Sequence, residues 1–502
     1  MSLASGRNPA VLIPALLTLM FVAITVLAGH TAESRQRTIF LSPTEPLTVV
    51  AGKTPATLAL GTSKRFYQRA PIVVVASATD GEAQRLAVTA ATQLRVPVLI
   101  DDAGVGAELK RLKTEQVVVI GKVDKSPIPK DAKMTVSPMP GAVAKAVAAI
   151  KDGTVYAAPP VPTSDALVVT GSTRRDAIAI ANAGNAGATI IEVPGGDPLR
   201  VPAAATLLKQ RADDPVLALG DSFRRNFSYT LSVVRTAPEQ IGGGYFVFPG
   251  RVIVALYGHP GTGSLGVLGE RGIQATIARA KRTAKSYQRF TERPVVPAFE
   301  IIATIASAGA GKDRDYSNEA AVAKLRPWVA AAGKAGVYVV LDLQPGRSDF
   351  LSQAKRYESL LALPHVGLAL DPEWRLKKNQ KHLRQIGSVR ISEINRTSDW
   401  LAGLTRRHAL PQKLLILHQF QQQMIRGRSR LDNTHPELSI LIHVDGQGSQ
   451  PAKRDTWKLM HRGAPKGVFW GWKNFYTEDQ PMLSPKKTWT EVKPRPEFIS
   501  YQ

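Results

Sequence analysis

Cysteine is missing from all 502 residues. That excludes disulfides, thiolate metal sites, a cysteine nucleophile and an N-terminal lipidated cysteine. Acidic residues are scarce beside basic ones. Forty Asp and Glu stand against 65 Lys and Arg, for a formal charge of +25. Such a surplus points to an anionic partner: nucleic acid, anionic lipid or an acidic wall polymer. Aromatic residues make up only 6%, and no stretch interleaves them with dense basic residues as a single-strand binding groove requires. Nucleic acid is therefore not expected. The histidines show neither HxH nor HExxH spacing. A metal centre assembled from His259, His418, His443 and Asp445 is weakly signalled, and no metal or cofactor is expected.

What is present is ordinary in bulk. Hydrophobic content of 44% and charged content of 21% suit folded domains, and the length calls for two or more of them. Near the N-terminus, Arg7 precedes an unbroken apolar run from Pro9 to Ala28, in which Val26 and Ala28 supply small residues at export-peptidase spacing. Residues 1–32 read as a signal peptide or, since 9–28 are just long enough to span a bilayer, as a membrane anchor. Either reading exports the rest of the chain to the cell envelope or beyond, which favours wall polymer among the anionic partners.

An internal repeat follows. One copy, within 33–152, runs "PIVVVASATD", "GEAQRLAVTAATQL", "VPVLIDD", "GVGAELKRL" and "QVVVIGK"; the second, within 153–239, runs "ALVVTGSTRRD", "AIAIANAGNAG", "ATIIEVP", "AAATLLKQ" and "PVLALGD". Each reads strand, helix, strand, helix, strand. The strands are short Val/Ile/Leu runs without alternation, as in parallel strands covered on both faces. Right-handed crossovers then give one small doubly wound α/β unit per copy. The link "DGTVYAAPPVPTSD" marks the boundary. The repeat resembles the cell-wall-binding repeats of actinobacterial and clostridial surface proteins. That resemblance implies non-covalent attachment to anionic wall polymer or peptidoglycan.

Residues 240–502 change rhythm. Strand-like runs "RVIVALYGHP", "VVPAFEIIATI", "GVYVVLDLQPG", "HVGLALDPEW", "KLLILHQF", "ELSILIHVDGQG" and "GVFWGWKNFY" alternate with amphipathic segments. This is the size and pattern of a (β/α)8 barrel. The eighth strand is assigned to "GYFVFP" or to the tail. The expected fold is thus α/β throughout, tandem doubly wound repeats followed by a (β/α)8-like barrel. Polar groups collect where the strands end: His259; Glu300; Asp342; Asp371 and Glu373; His418 and Gln419; His443, Asp445 and Gln447; Trp472 and Lys473. Barrel enzymes build their sites on that face.

Pro372 cannot donate to a sheet ladder, so Asp371 and Glu373 belong at the barrel lip, and alternation points both carboxylates one way. Two residues along a strand separate them by about 6.6 Å at the backbone, near the spacing glycosidases use. The Asp-x-Glu at strand four resembles that of the fungal-type lysozymes. By that resemblance Glu373 is the acid and Asp371 its partner, while the remaining strand-end residues bind substrate. Those enzymes carry an aspartate at strand one, where this chain has His259. Trp374, Trp470, Trp472, Phe475 and Tyr476 are candidates for stacking on sugar faces, and Gln344, Gln419 and Gln447 for binding hydroxyls. The competing non-catalytic reading is a degenerate glycosidase barrel that binds or scaffolds envelope glycan. A further alternative is an esterase: "LALGDSF" and "DNTH" resemble GDS-type blocks, with Ser222, His435 and Asp432 as nucleophile, base and orienter. "GHPGTGSLG", 258–266, lacks the GK[ST] ending of a phosphate loop and reads as a mobile loop over the barrel mouth.

Overall fold

The computed structural model describes residues 37–130, 133–136, 140–152, 156, 159 and 161–502. The expected leader or anchor at 1–32 lies outside them. Among the described residues no helix is long and apolar enough to cross a membrane. Two compact units are present, Met1–Ser228 and Tyr229–Gln502.

Among the described residues of the first unit, Ile39–Phe40 and Tyr67–Arg69 form a short antiparallel pair, and eight further strands form two all-parallel sheets. We number them β1 (Leu47–Val50), β2 (Ile72–Ala76), β3 (Val98–Ile100), β4 (Gln116–Ile120), β5 (Lys133–Val136), β6 (Leu167–Thr170), β7 (Thr189–Glu192) and β8 (Val216–Leu219). The sheet orders are β3-β2-β4-β5 and β7-β6-β8-β1. The apolar runs are buried along their whole length, as expected where helices cover both faces. Helix α1 (Pro55–Phe66) opens on a Thr54 cap. Helix α2 (Gly81–Leu94) begins where Asp80 accepts hydrogen bonds from the amides of Glu82 and Ala83 at 2.9 and 3.1 Å. Buried Asn182 sits in the later helix α3 (Ala177–Asn185). It pairs with the backbone of edge strand β3, accepting from Val98 N at 2.7 Å and donating to Val98 O at 2.9 Å. One side chain thus satisfies both backbone groups of Val98 on that edge.

The second unit is a closed barrel of eight parallel strands: β9 (Val252–Gly258), β10 (Val295–Ala306), β11 (Tyr338–Leu343), β12 (Val366–Leu370), β13 (Lys413–His418), β14 (Leu438–Val444), β15 (Phe469–Asn474) and β16 (Phe498–Tyr501). β9 pairs with β10 on one side and β16 on the other. The closing strand is therefore "FISY" in the tail, and "GYFVFP" forms no strand. Helices connect most strands, but 3-10 turns at Gln422–Met424 and Arg428–Arg430 replace a helix between β13 and β14. The helical ring is incomplete there.

Alternation along the strands sorts two cores. Val254, Leu256, Ile301, Leu341, Leu368 and Leu417 pack outward with the helices. Ile253, Ala255, Ala298, Val340, Ala369, Ile416, Leu441 and Phe498 form a separate interior cluster. With a side-chain period of two, the next residues of that interior set are Tyr257, Glu300, Asp342, Asp371, His418, His443 and Ser500. The polar layer is a continuation of the core pattern.

At the start of β13, fully buried Lys413 donates to Leu363 O at 2.7 Å and Val366 O at 2.8 Å. Burial pushes its ammonium down to about 7. The unfolded chain binds this proton more tightly, so the group costs most stability at neutral pH and below. The cost fades as pH rises from about 7 toward the ordinary lysine value. In urea melts, the stability of the wild type relative to Lys413→Met should rise by about 2 kcal/mol between pH 7 and pH 9. A pH-independent difference would place the lysine in water.

Candidate active site at the barrel mouth

The loop 258–266 after β9 closes onto the strand it leaves. A Cβ on Gly266 would lie 2.5 Å from Tyr257 O, and one on Gly258 would lie 2.9 Å from the Gly266 backbone. Both glycines have positive φ, so no other residue fits this approach without strain. Ser264 and Leu265 of the loop thereby line a cavity of about 410 Å³. Tyr257, Gln344, Asp371, Glu373, Trp374, Phe420, Asp445, Gln447, Lys473 and Phe475 also line it.

Asp371 keeps the inward parity of β12, but Glu373 reaches this wall in a different way from the strand alternation expected. β12 stops at Leu370, and Asp371 caps a 3-10 turn at Pro372–Trp374, its Oδ1 accepting from Glu373 N at 3.2 Å. Burial, reinforced by Asp445, pushes the Glu373 carboxyl up to about 7, against the pull of Lys473 and His418. Asp371 is raised well above the usual range, by burial and by Asp342, Glu373 and Asp445. Asp342 rises to about 6 through burial and Glu300, despite His418 and Lys473.

Beneath the mouth lies a buried charge network. His418 places Nε2 3.0 Å from Glu300 Oε1 and Nδ1 2.9 Å from Asp445 Oδ2. Burial alone would lower the imidazole, but Glu300 and Asp445 outweigh it and hold it well above its ordinary value. Burial would likewise raise Glu300 and Asp445. The histidines hold Glu300 far below the carboxylate range, and His418, Lys473 and His443 depress Asp445. His443, lowered chiefly by burial, has its ring accommodated by Gly471, where a Cβ would lie 2.7 Å from His443 Cδ2. Tyr257 donates to Asp342 Oδ2 at 3.0 Å, and Lys473 Nζ stands 3.5 Å from the Tyr257 ring centroid.

Not every strand-end candidate joins this cluster. His259 bonds Ile302 O at 2.8 Å through Nδ1 and lines a separate cavity beside Trp328. Gln419 bonds Gln421 O and Arg428, on the outer side of β13. Trp472 is buried against Trp457, and Trp470 stacks on His461. Of the stacking candidates, Trp374 and Phe475 border the cavity. Tyr257, Phe420 and Ser500 were not expected. Tyr257 continues the inward series of β9, a signal the sequence carried, whereas Ser500 lies on a strand that sequence patterning had not placed. The esterase reading loses its base–orienter pair, because His435 Nε2 bonds Asp399 at 2.8 Å while Asp432 accepts from Thr434.

Among the described residues, three sets of side chains have the donors for a cation: Glu300, His418 and His443; Asp399, Asp432 and His435; Asp313, Asp315 and Glu319. Only the first is fully buried.

No family model matches the chain, and no curated protein matches it. Among solved structures, Cwp6 from Clostridium difficile is similar at 15% identity with a TM-score of 0.29, over 61% of this chain and 66% of that one. At that level of likeness, what the chain does is read from its own barrel, a mixed α/β fold closed by eight parallel strands with its acids gathered at the mouth.

Proposed function

We propose that the barrel binds an envelope glycan in the cavity at its mouth and hydrolyses a glycosidic bond there. The observation that carries this reading is Glu373: a carboxyl on the cavity wall, half protonated near neutral pH, beside the Trp374 ring. A neutral acid of that strength can donate its proton to the leaving glycosidic oxygen. The partner carboxylate must be ionised. Asp445, depressed by His418 and Lys473, fits that role better than Asp371, which is pushed toward its neutral form. Asp371 then orients the turn that carries Glu373, and Gln344 and Gln447 offer amides to hydroxyls. The test is release of reducing ends from purified peptidoglycan and wall glycans by the full chain.

A second reading, glycan binding without turnover, is favoured by one observation. The Asp-x-Glu pair contains no depressed carboxylate of its own. Saturable binding with no new reducing ends would select it.

We further propose that the chain is exported and attaches to anionic wall polymer. The net charge supports this, as does the shared strand order of the two N-terminal sheets, which suits tandem wall-binding repeats. On the barrel, exposed Arg390, Arg396, Arg426 and Arg430 border two adjoining grooves of about 590 and 580 Å³. Binding to isolated anionic polymer should weaken steeply between 50 and 500 mM salt, because exposed charges are screened over about 8 Å at physiological ionic strength. Sedimentation with purified polymer across a salt series checks this, and salt-insensitive binding would reject it.

A further inference from the structure

We propose that Glu300, His418 and His443 form a binding site for a first-row divalent cation, with zinc the favoured ion. The three residues come from β10, β13 and β14, and all are fully buried. Their ligand atoms lie within 4.8 Å of one another. His418 Nε2 stands 3.0 Å from Glu300 Oε1, and His443 Nδ1 stands 3.8 Å from the same oxygen. Neighbouring ligands of a tetrahedral zinc are about 3.3 Å apart, given zinc–nitrogen and zinc–oxygen bonds of about 2.0–2.1 Å. The two separations fall on either side of that spacing.

Two further observations point to a ligand. First, each imidazole has its outer nitrogen held by an oxygen: His418 Nδ1 by Asp445 at 2.9 Å, His443 Nε2 by Ser500 Oγ at 3.1 Å. Metal-bound histidines are fixed in that manner, which sets the tautomer and turns the inner nitrogen to the ion. Second, the inner atoms are left short of partners. His443 Nδ1 and Glu300 Oε2 make no hydrogen bond, nor does Asp342 Oδ1, which lies 3.7 Å from His418 Nε2. Leaving such buried atoms unmet is costly, and a cation held by the three ligands would engage His443 Nδ1 and the Glu300 carboxylate. The donor set of two imidazoles and a carboxylate suits zinc or iron(II) rather than calcium or magnesium. By contrast, the half-exposed Asp399–Asp432–His435 group is already satisfied by its own hydrogen bonds. Sequence spacing could not reveal the buried site, because its ligands come from three separate strands.

The inference does not depend on glycan turnover, since its test reads metal. The full chain, stripped with chelator and desalted, is titrated with Zn²⁺ and with Co²⁺. One ion per chain is expected by elemental analysis, with visible d–d absorption from bound Co²⁺. Glu300→Gln and His443→Gln should each weaken binding about a hundredfold. Ser500→Ala, which alters only the outer contact of His443, should weaken it about tenfold. His435→Ala should leave binding unchanged. If either ligand variant fails to fold by circular dichroism, Ser500→Ala decides. Retention of no ion by the unmutated chain would overturn the proposal. So would affinity that is indifferent to Ser500→Ala and Glu300→Gln but lost in His435→Ala.

Discussion

Glu373→Gln should lower glycan turnover by about a hundredfold or more, as removal of a general acid does, while the barrel stays folded. Among the described residues no hydrogen bond or ion pair holds the Glu373 carboxyl. Its hydrogen bonds run through the backbone, the amide donating to Asp371 and the carbonyl accepting from Gly387 N, and glutamine keeps both. The pH profile gives a second, independent readout. The carboxyl must be protonated to act, and burial sets its midpoint at about 7. Wild-type turnover should therefore fall as pH rises through about 7, and the residual activity of Glu373→Gln should lack that limb. The substitution should move stability in the opposite direction from turnover. A carboxyl whose folded pKa is raised contributes most below its ordinary value, and that contribution is lost as pH climbs through the folded value. Above pH 7, Glu373→Gln should accordingly be more stable than the wild type, by about 1–2 kcal/mol after allowance for partial exposure. If the alkaline limb survives the substitution, or the variant unfolds while its folded fraction turns over normally, Glu373 is not the acid.

His418→Leu should be the most damaging single change to the barrel's stability. The imidazole is fully buried, with Glu300 at 3.0 Å, Asp445 at 2.9 Å and Asp342 at 3.7 Å. Leucine is similar in bulk but leaves Glu300 and Asp445 without their shared cation. Breaking a buried ion pair from one side costs about 3–5 kcal/mol. For a unit of this size that is a drop in Tm of roughly 10 °C. The loss should be larger at pH 8 than at pH 5, because stranded carboxylates can take up protons at the lower pH. Thermal melts of chelator-treated protein at both pH values measure this without any contribution from bound metal. A loss under 1 kcal/mol at pH 8 would mean that water reaches the cluster and the histidine is not its counter-charge.

The barrel was legible because parallel strands covered on both faces read as unbroken apolar runs, and seven of those runs became strands. The eighth was obscure, since "FISY" follows a Pro-rich stretch and spans four residues. In the site, the errors follow one physical rule. Neighbouring residues at a strand end face opposite sides, and sequence reading took both. His418 turns inward while Gln419 turns outward; Lys473 turns inward while Trp472 packs outward against Trp457. His259 is off for another reason: the chain leaves β9 at Gly258, so the next inward position is lost to the loop. Choosing one parity per strand and extending it from the apolar core to the end of each strand yields Tyr257, Glu300, Asp342, Asp371, His418, His443, Asp445 and Lys473 without Gln419 or Trp472. The burial that sets Glu373 at about 7 and separates it from Asp445 had no sequence signal, because it arises from loops and strands distant along the chain.

The closing strand has a bearing on how the chain is made. Ile253 pairs with Phe498, so the barrel cannot be completed until nearly its whole sequence is available. Until then β9 and β15 present open edges, and the contact that closes the ring spans nearly the whole barrel sequence. The barrel is therefore the kind of unit that locks only once its last strand has arrived. Removal of the residues from Phe498 onward should for the same reason yield a chain that aggregates through its unpaired edges rather than a trimmed but working barrel.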